Sequence, residues 1–447
     1  MSKQLSEPDG LAGIRESMRD NTLPNEASVL QNLIEIAALS PESLSEITKT
    51  ATILVEKVRG AKNPGLMEVF LAEYGLSTKE GVALMCLAEA LLRVPDSQTI
   101  DALIEDKISP SDWGAHLGHS NSPLVNASTW ALMLTGKVLK DDVGISGTLR
   151  SIVKRVGEPV IRSAVGQAMR ELGQQFVLGR NIDEAMERAG KQEAKGYTYS
   201  YDMLGEAART QADAQRYHLA YAEAISAIAK ACGSQDIREN PGISVKLSAL
   251  HPRYEATQAK NMAPELINKT LALASLAKSA NMGFNIDAEE QDRLDISLDI
   301  IEEVLSDPSL ANWDGFGVVV QAYGPRATYV IDWLSALAKR LDRRIMVRLV
   351  KGAYWDTEIK RAQVMGLDGF PVFSRKTSTD VSYIACARKL LSNADHIYPQ
   401  FATHNAQTIA AVLSIAKQEG APAFEFQRLH GMGEALHNAV MEREGMR

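Results

Sequence analysis

The residues with chemical capability gather at the ends of short apolar runs in the second half of the chain. Seven runs read as strands: YTYSYDML (197–204), ISVKLSAL (243–250), GFNIDAEE (283–290), GFGVVVQAY (315–323), RIMVRLVKGAY (344–354), IYPQFATHN (397–405) and FEFQRLHGM (424–432). Side chains alternate along a strand, so parity separates residues under the helices from residues pointing inward. In the second run Ile243, Val245 and Leu247 form the helix-facing set, and Ser244, Lys246 and Ser248 point inward. In the third, Asn285 and Asp287 lie inside and Phe284 and Ile286 outside. The other runs add Asp202, Gln321, Arg348 and Gln427 near their ends, and His404 and Asn405 close the sixth. Residue by residue two readings stay open. Lys246 and Asp287 suit a buried ion pair as well as a binding site, Arg348 suits a structural role, and His404 suits a satisfied core histidine. Taken together, so many inward polar groups need a ligand, because each one buried without a partner costs about 1–3 kcal/mol. A large polar molecule is expected to fill the mouth they share.

The motifs that are missing narrow the chemistry. There is no HExxH and no grouping of carboxylates with histidines at ligand spacing, so metal catalysis is not expected. There is no GxSxG elbow. In RLVKGAYW, Arg348 and Lys351 bring two positive charges beside Gly352, which permits close backbone approach. That combination suits a pyrophosphate, or an electron-rich ring whose reduced form is anionic. A Schiff-base barrel using Lys246 or Lys351 is the competing enzymatic reading.

Amphipathic helices must hold these strand ends in place. One is ATYVIDWLSALAKRL, with Val330, Trp333, Leu334 and Leu337 on one face. Strict alternation of strand and helix implies right-handed βαβ units and a parallel sheet. No GxGxxG follows the first run and no GxxxxGK[ST] occurs anywhere, which favours a barrel over a doubly wound nucleotide fold. The fold class is therefore α/β, a (β/α)8 TIM-type barrel preceded by an all-helical N-terminal region. Seven units are found before Arg447, so the eighth unit of the closed barrel is read as missing from this chain. Three segments are expected: a helical arm over residues 1–60, accessory helices over 61–177, and the incomplete barrel over 178–447. Up to Pro24 the sequence is polar without a clear period and reads as a cap or mobile end. From Glu26 to Val58 Leu30, Leu33, Ile34, Ala37, Leu44, Ile47 and Ile53 supply a helical apolar pattern.

Bulk properties set the remaining bounds. The 447 residues are 45% hydrophobic and 23% charged, with a formal charge of −8. That balance argues against nucleic acid as a partner, since phosphate binding needs a concentrated basic surface. Cys86, Cys232 and Cys386 lie far apart and read as reduced thiols of a cytosolic protein. No run approaches the roughly 18 apolar residues of a membrane span, so any membrane contact is expected to be peripheral.

Several ordered stretches resemble the FAD-dependent proline dehydrogenase domain of bacterial proline utilization A. They include VKLSALHPRYE (245–255), DAEEQDRLD (287–295), VRLVKGAYWDTEIK (347–360), PVFSRKTSTDVSYIACARKL (371–390), FATHNAQT (401–408) and FEFQRLHGMGEAL (424–436). The N-terminal helices are similar to that family's dimerisation arm and accessory helical domain, which implies a homo-oligomer. The resemblance implies hydride transfer from C5 of L-proline to flavin N5, giving Δ1-pyrroline-5-carboxylate, with electrons passed to a membrane quinone. It implies a cytoplasmic enzyme that docks peripherally at the inner membrane. By the same resemblance Lys246 meets the substrate carboxylate, Asp287 sets the environment of the reacting amine, and Leu349 and Tyr354 pack on the substrate ring. Gln321, Arg348, Lys351, Gly352 and Ala353 hold the isoalloxazine and pyrophosphate. Ser374, Lys376, Thr403, His404, Asn405 and Gln427 line the remainder of the FAD site. The family supplies a substrate-clamping Arg pair and a Tyr from its eighth strand and helix, and Glu206 is expected to pair with one of those arginines. The chain also reads as the front part of a bifunctional protein whose second half oxidises glutamate semialdehyde with NAD. An inactive barrel fragment kept for association is the alternative.

Overall fold

The computed structural model describes residues 10–60, Thr99, 177–203, 207–420 and 423–444. The chain divides into two compact units, one of residues 1–58, 181–428 and 433–447 and the other of 59–180 and 429–432. The first unit carries the arm and the barrel. The accessory helices expected over 61–177, together with Cys86 and Glu206, lie outside the described residues apart from Thr99 and Val177.

The barrel wall is one parallel sheet whose strands pair in chain order: β1 (Ser200–Asp202), β2 (Gly242–Val245), β3 (Phe284–Ile286), β4 (Phe316–Gln321), β5 (Ile345–Val350), β6 (Ile397–Ala402) and β7 (Glu425–Gln427). All seven sequence runs contain a strand. Among the described residues β1 and β7 do not pair with each other. The order arises because each strand is followed by a helix that packs back on the sheet in the right-handed sense. Those helices are α5 (Gln211–Ile228), α7 (Ala259–Ser279), α8 (Leu294–Ser306), α9 (Ala327–Arg340), α11 (Lys376–Ser392), α12 (Ala406–Glu419) and α13 (Glu434–Glu444), with α4 (Ile182–Glu193) ahead of β1, a short α6 (Leu247–Leu250) and an extra α10 (Trp355–Met365). The core lies between sheet and helices. Val330, Trp333, Leu334 and Leu337 of α9 are all buried, as the periodicity requires.

The second run is shorter as a strand than its sequence suggests. β2 ends at Val245, Lys246 is extended (φ −101°, ψ 128°), and Leu247–Leu250 turn into α6. Ser248 is therefore a helix residue and not an inward strand position. Its hydroxyl accepts from the Ala207 N–H at 3.1 Å, and its own N–H donates to Glu289 Oε1 at 3.0 Å. Side-chain alternation has no meaning once the backbone leaves β space.

The N-terminal region also departs from expectation. Residues before Pro24 form α1 (Gly10–Asp20). Its buried face is only Ile14, Arg15 and Met18, too narrow a stripe to stand out in a polar sequence. Arg15 is docked by Asp295 Oδ1 at 3.1 Å and Asp299 Oδ1 at 2.7 Å, with its guanidinium 5.6 Å from the Trp333 ring centre. The run from Glu26 is two helices, α2 (Glu26–Ala37) and α3 (Pro41–Arg59), broken where Ala38 takes a left-handed φ of 46°. Leu33 and Ala37 are buried against Phe373 and Ala385, and Ile47 and Ala51 against Ala410 and Ala411. Ile34, Leu44 and Ile53 face outward, so one apolar stripe cannot be drawn through both helices.

Candidate active site at the carboxyl ends of the strands

Strand ends β1, β2, β3 and β5 converge on one ionic network. Lys246 Nζ donates to Asp287 Oδ2 at 2.9 Å and to Asp202 Oδ1 at 3.2 Å. Arg348 donates through Nη1 to Asp287 Oδ1 at 3.4 Å and to Ser244 Oγ at 2.9 Å, and through Nη2 to Ser200 Oγ at 3.0 Å. One carboxylate thus faces both cations. Lys246 is 7% exposed, so its charge needs these partners. The inward parity drawn for Ser244, Lys246, Asp287 and Arg348 places them in this single cluster.

Leu349 does not join it. It is fully buried, pairs in register with Val320 and Phe401, and alternates with Arg348 along β5. Alternation puts it on the helix side of the sheet, away from the mouth, so it is not placed to pack on a substrate there.

After β5 the backbone makes a close turn. Gly352 has φ +137°, and a Cβ there would stand 2.3 Å from the Tyr323 ring. The turn is stitched by Tyr323 N–H to Lys351 O at 2.7 Å and by Ala353 N–H to Gln321 Oε1 at 3.4 Å. Gln321 Nε2 donates in turn to Glu289 O at 2.8 Å. Tyr354 precedes α10 and is half-buried. Lys351 reaches Asp380 Oδ1 at 2.5 Å, and Lys376 reaches Asp380 Oδ2 at 3.0 Å, so α11 brings a second cation beside the first.

Beyond β6 the predicted residues carry structural bonds as well. Thr403 is buried, with its N–H on Gln427 O at 3.1 Å and its carbonyl 2.9 Å from His437 Nε2. Asn405 is the N-cap of α12, its Oδ1 accepting from Thr408 N–H at 2.9 Å. His404 is exposed at its surface side, and partial desolvation of its ring, with the charge of Arg428, holds its pKa below the usual imidazole value. Ser374, also exposed, bonds to Glu26 of the arm.

Four participants escaped the sequence reading. Ser200 shares the parity of Asp202, so its inward direction was available. Asp380 lies four residues after Lys376, a helical spacing that was available too. Glu425 shares the parity of Gln427. Its Oε1 accepts from Gln427 Nε2 at 2.6 Å and from Gln400 Nε2 at 3.0 Å, and Tyr398 Oη lies 3.2 Å from Oε2. Desolvation raises its pKa, against those hydrogen bonds and the charge of Arg348. Glu26 gave no signal at all, because its partners lie about 350 residues away.

The two described cysteines are not joined in a disulfide. Cys386 is buried and its thiol is pushed up to about 12, while Cys232 is free and partly exposed. Among the described residues no helix is long and apolar enough to cross a membrane.

Comparison with known proteins gives consistent matches along the chain. The family described as "Proline dehydrogenase" matches residues 185–447. Residues 66–176 match "DNA-binding domain of Proline dehydrogenase", and residues 13–59 match "Proline utilization A proline dehydrogenase N-terminal domain". The chain is 52% identical to the bifunctional protein PutA of Salmonella typhimurium over 422 residues, covering 93% of this chain and 32% of that one. It is 51% identical to the protein of the same name from Rhizobium meliloti, covering 94% and 34%. It therefore spans about a third of the length of these relatives. Among solved structures, a Bradyrhizobium japonicum Proline Utilization A mutant superposes with a TM-score of 0.72 at 50% identity, over 95% of this chain and 42% of that chain.

Proposed function

This chain belongs to the proline dehydrogenase family, and from that premise we propose that its barrel oxidises L-proline to Δ1-pyrroline-5-carboxylate with a bound FAD. The observation that carries the reading is the cluster of Lys246, Asp287 and Arg348 at one rim, beside the close backbone turn that Gly352 makes against the Tyr323 ring.

The residues fit such a cofactor. Arg348, Lys351 and Lys376 form a cationic side for an anionic group, and Arg348 Nε is buried without a hydrogen-bond partner among the described residues. The Gly352–Ala353 turn lets backbone approach a planar ring. In this reading Gln321, Arg348, Lys351, Gly352 and Ala353 hold the ring and pyrophosphate. Lys376, Gln427, His404, Thr403, Asn405 and Ser374 border the rest, with Thr403, Asn405 and Ser374 acting through the loops they already brace. When bound, the flavin supplies the acceptor for a hydride leaving C5 of the substrate.

The remaining work belongs to the chain. Lys246 binds the substrate carboxylate, and Asp287 fixes Lys246 and Arg348 relative to each other. Tyr354 covers the substrate ring. The substrate ammonium must lose one proton to solvent so that the nitrogen lone pair can push the hydride out, and the resulting iminium releases its N–H proton to solvent to leave the C=N bond of the product. Fixed positive charge from Arg348 then stabilises the electron density delivered to its neighbour. Lys246 and Lys351 both spend their ammonium protons on carboxylates, which suits cations better than Schiff-base nucleophiles.

Electron transfer from the reduced flavin to quinone, peripheral membrane contact, cytoplasmic location and self-association through the arm belong to the same proposal. So does a parent protein with a glutamate-semialdehyde dehydrogenase half, since the relatives are named bifunctional. Glu206, which lies outside the described residues, keeps its proposed link to the substrate clamp. The family description for residues 66–176 speaks of DNA binding, and it withdraws the exclusion of nucleic acid. A charge summed over the whole chain does not constrain one segment.

The test is the visible spectrum of the purified chain. A flavin band that bleaches on anaerobic addition of L-proline is expected. A bound flavin that stays oxidised would favour the inactive-fragment reading, and absence of any flavin uptake would refute the proposal.

A further inference from the structure

We infer that Glu26 of the arm is a positioning residue for the cofactor side of the mouth, so that arm docking and flavin binding are thermodynamically linked. The inference rests on the function proposed above, because it takes Lys351 and Lys376 to face the cofactor.

Glu26 opens α2, and its carboxylate is shared among three donors on the barrel. Oε2 accepts from the Ser374 N–H at 3.1 Å and the Ser374 hydroxyl at 2.8 Å, and Oε1 from the Ser378 hydroxyl at 2.7 Å. These donors surround the start of α11, whose own N-cap residue, Arg375, makes no side-chain capping bond. Free N–H groups and the helix dipole favour a negative charge there. Burial works to raise the pKa of Glu26. Hydrogen bonds from Ser378 and Ser374 and the charge of Arg375 outweigh it, and the net shift is downward. The arm thus places a carboxylate beside the start of α11, held by the Ser374 N–H and by the hydroxyls of Ser374 and Ser378.

The rest of α2 holds that carboxylate in place. Leu33 and Ala37 pack on Phe373 and Ala385, and Arg388 Nε donates to Ala37 O at 2.8 Å near the far end. Successive helix residues turn by about 100°, so Ser378 and Asp380 project about 200° apart around α11. Glu26 grips the arm side, and Asp380 holds Lys351 and Lys376 on the other. Glu26 therefore braces α11 from the side opposite Asp380. Fixing the turn at 373–378 fixes the direction in which both ammonium groups point. By reciprocity, any free energy the docked arm adds to flavin binding is returned by flavin to arm docking.

The decisive experiment compares the 447-residue chain with Glu26→Ala after removal of flavin. The FAD dissociation constant is expected to rise on the order of tenfold in the variant. The KM for L-proline of the flavin-saturated enzyme is expected to stay unchanged. FAD should slow proteolysis between α1 and α2 in the unaltered chain and lose that effect in the variant. Glu26→Gln, which keeps an acceptor oxygen without the charge, should recover part of the affinity. Equal affinity in Glu26→Ala would overturn the inference, and tighter binding would overturn it by making Glu26 a competitor. If Glu26→Ala does not fold, Ser378→Ala removes one of the three donors, and an unchanged flavin affinity there is equally fatal. If the unaltered chain takes up no flavin, the functional reading itself fails and this inference falls with it.

Discussion

Replacing Gly352 with alanine tests whether the turn after β5 is held as tightly as its geometry requires. The residue has φ +137°, and its new Cβ would lie 2.3–2.5 Å from three atoms of the Tyr323 ring. Tyr323 is 2% exposed, and its backbone is bonded on both sides, to Lys351 O and from Phe373 N–H, each at 2.7 Å. The ring has no room to retreat. A positive φ costs a non-glycine residue about 1–2 kcal/mol, and overpacking adds about 1–3 kcal/mol. The sum is about 2–5 kcal/mol. Gly366 is an internal control, because it closes α10 at φ +64° with nothing within 4 Å of a would-be Cβ. Gly366→Ala should cost only the conformational part, about 1–2 kcal/mol. In a domain of this size 1 kcal/mol moves the thermal midpoint by about 2–4 °C. Calorimetry should therefore show Gly352→Ala falling by about two to three times as much as Gly366→Ala. Equal midpoints for the two variants would refute the claim that contact with Tyr323 makes Gly352 special. Flavin uptake should fail in Gly352→Ala and survive in Gly366→Ala.

Two further outcomes follow from the strand-end network. Asp287→Asn removes the carboxylate that Lys246 and Arg348 share, leaving Lys246 on the half-exposed Asp202 and Arg348 on the hydroxyls of Ser244 and Ser200, and should lower stability by about 1–3 kcal/mol in urea melts while reducing kcat/KM for L-proline. Paired with Lys246→Met, it should show a coupling energy of about 0.5–3 kcal/mol. Glu425→Gln should alter stability in a pH-dependent way. Desolvation raises the folded pKa of Glu425, so its contribution is present at low pH and lost as pH rises through that value. The glutamine variant should therefore gain on the unaltered chain at pH 8, and the two should converge below about pH 4.5, as urea midpoints would show.

The barrel was legible because its signals are local. Each strand run is short, apolar and bounded, and inward parity brought Ser244, Lys246, Asp287 and Arg348 together from three different lengths of chain. Parity failed where its premise failed. Nothing in ISVKLSAL marks Val245 as the end of the strand, since a buried strand and a buried helical turn are equally apolar. Leu349 shows the converse error. Its assignment to the substrate came from resemblance alone, while the alternation that placed Arg348 inward already placed its neighbour outward. α1 was overlooked because a helix fastened by Arg15 through ion pairs needs little apolar stripe. Contacts such as Glu26 with Ser374 lie beyond any local pattern.

The sequential order of the sheet also sets how the chain can assemble. Each new strand joins its predecessor after one or two intervening helices, so every loop closed along the wall is short and its entropy cost small. A nascent chain can lay down β1 to β7 in the order of synthesis. The contact between Glu26 and Ser374, by contrast, spans 348 residues. Until translation has passed Ser378 the carboxylate of Glu26 lacks its full set of donors, and this anchor of α2 must wait while much of the barrel is built.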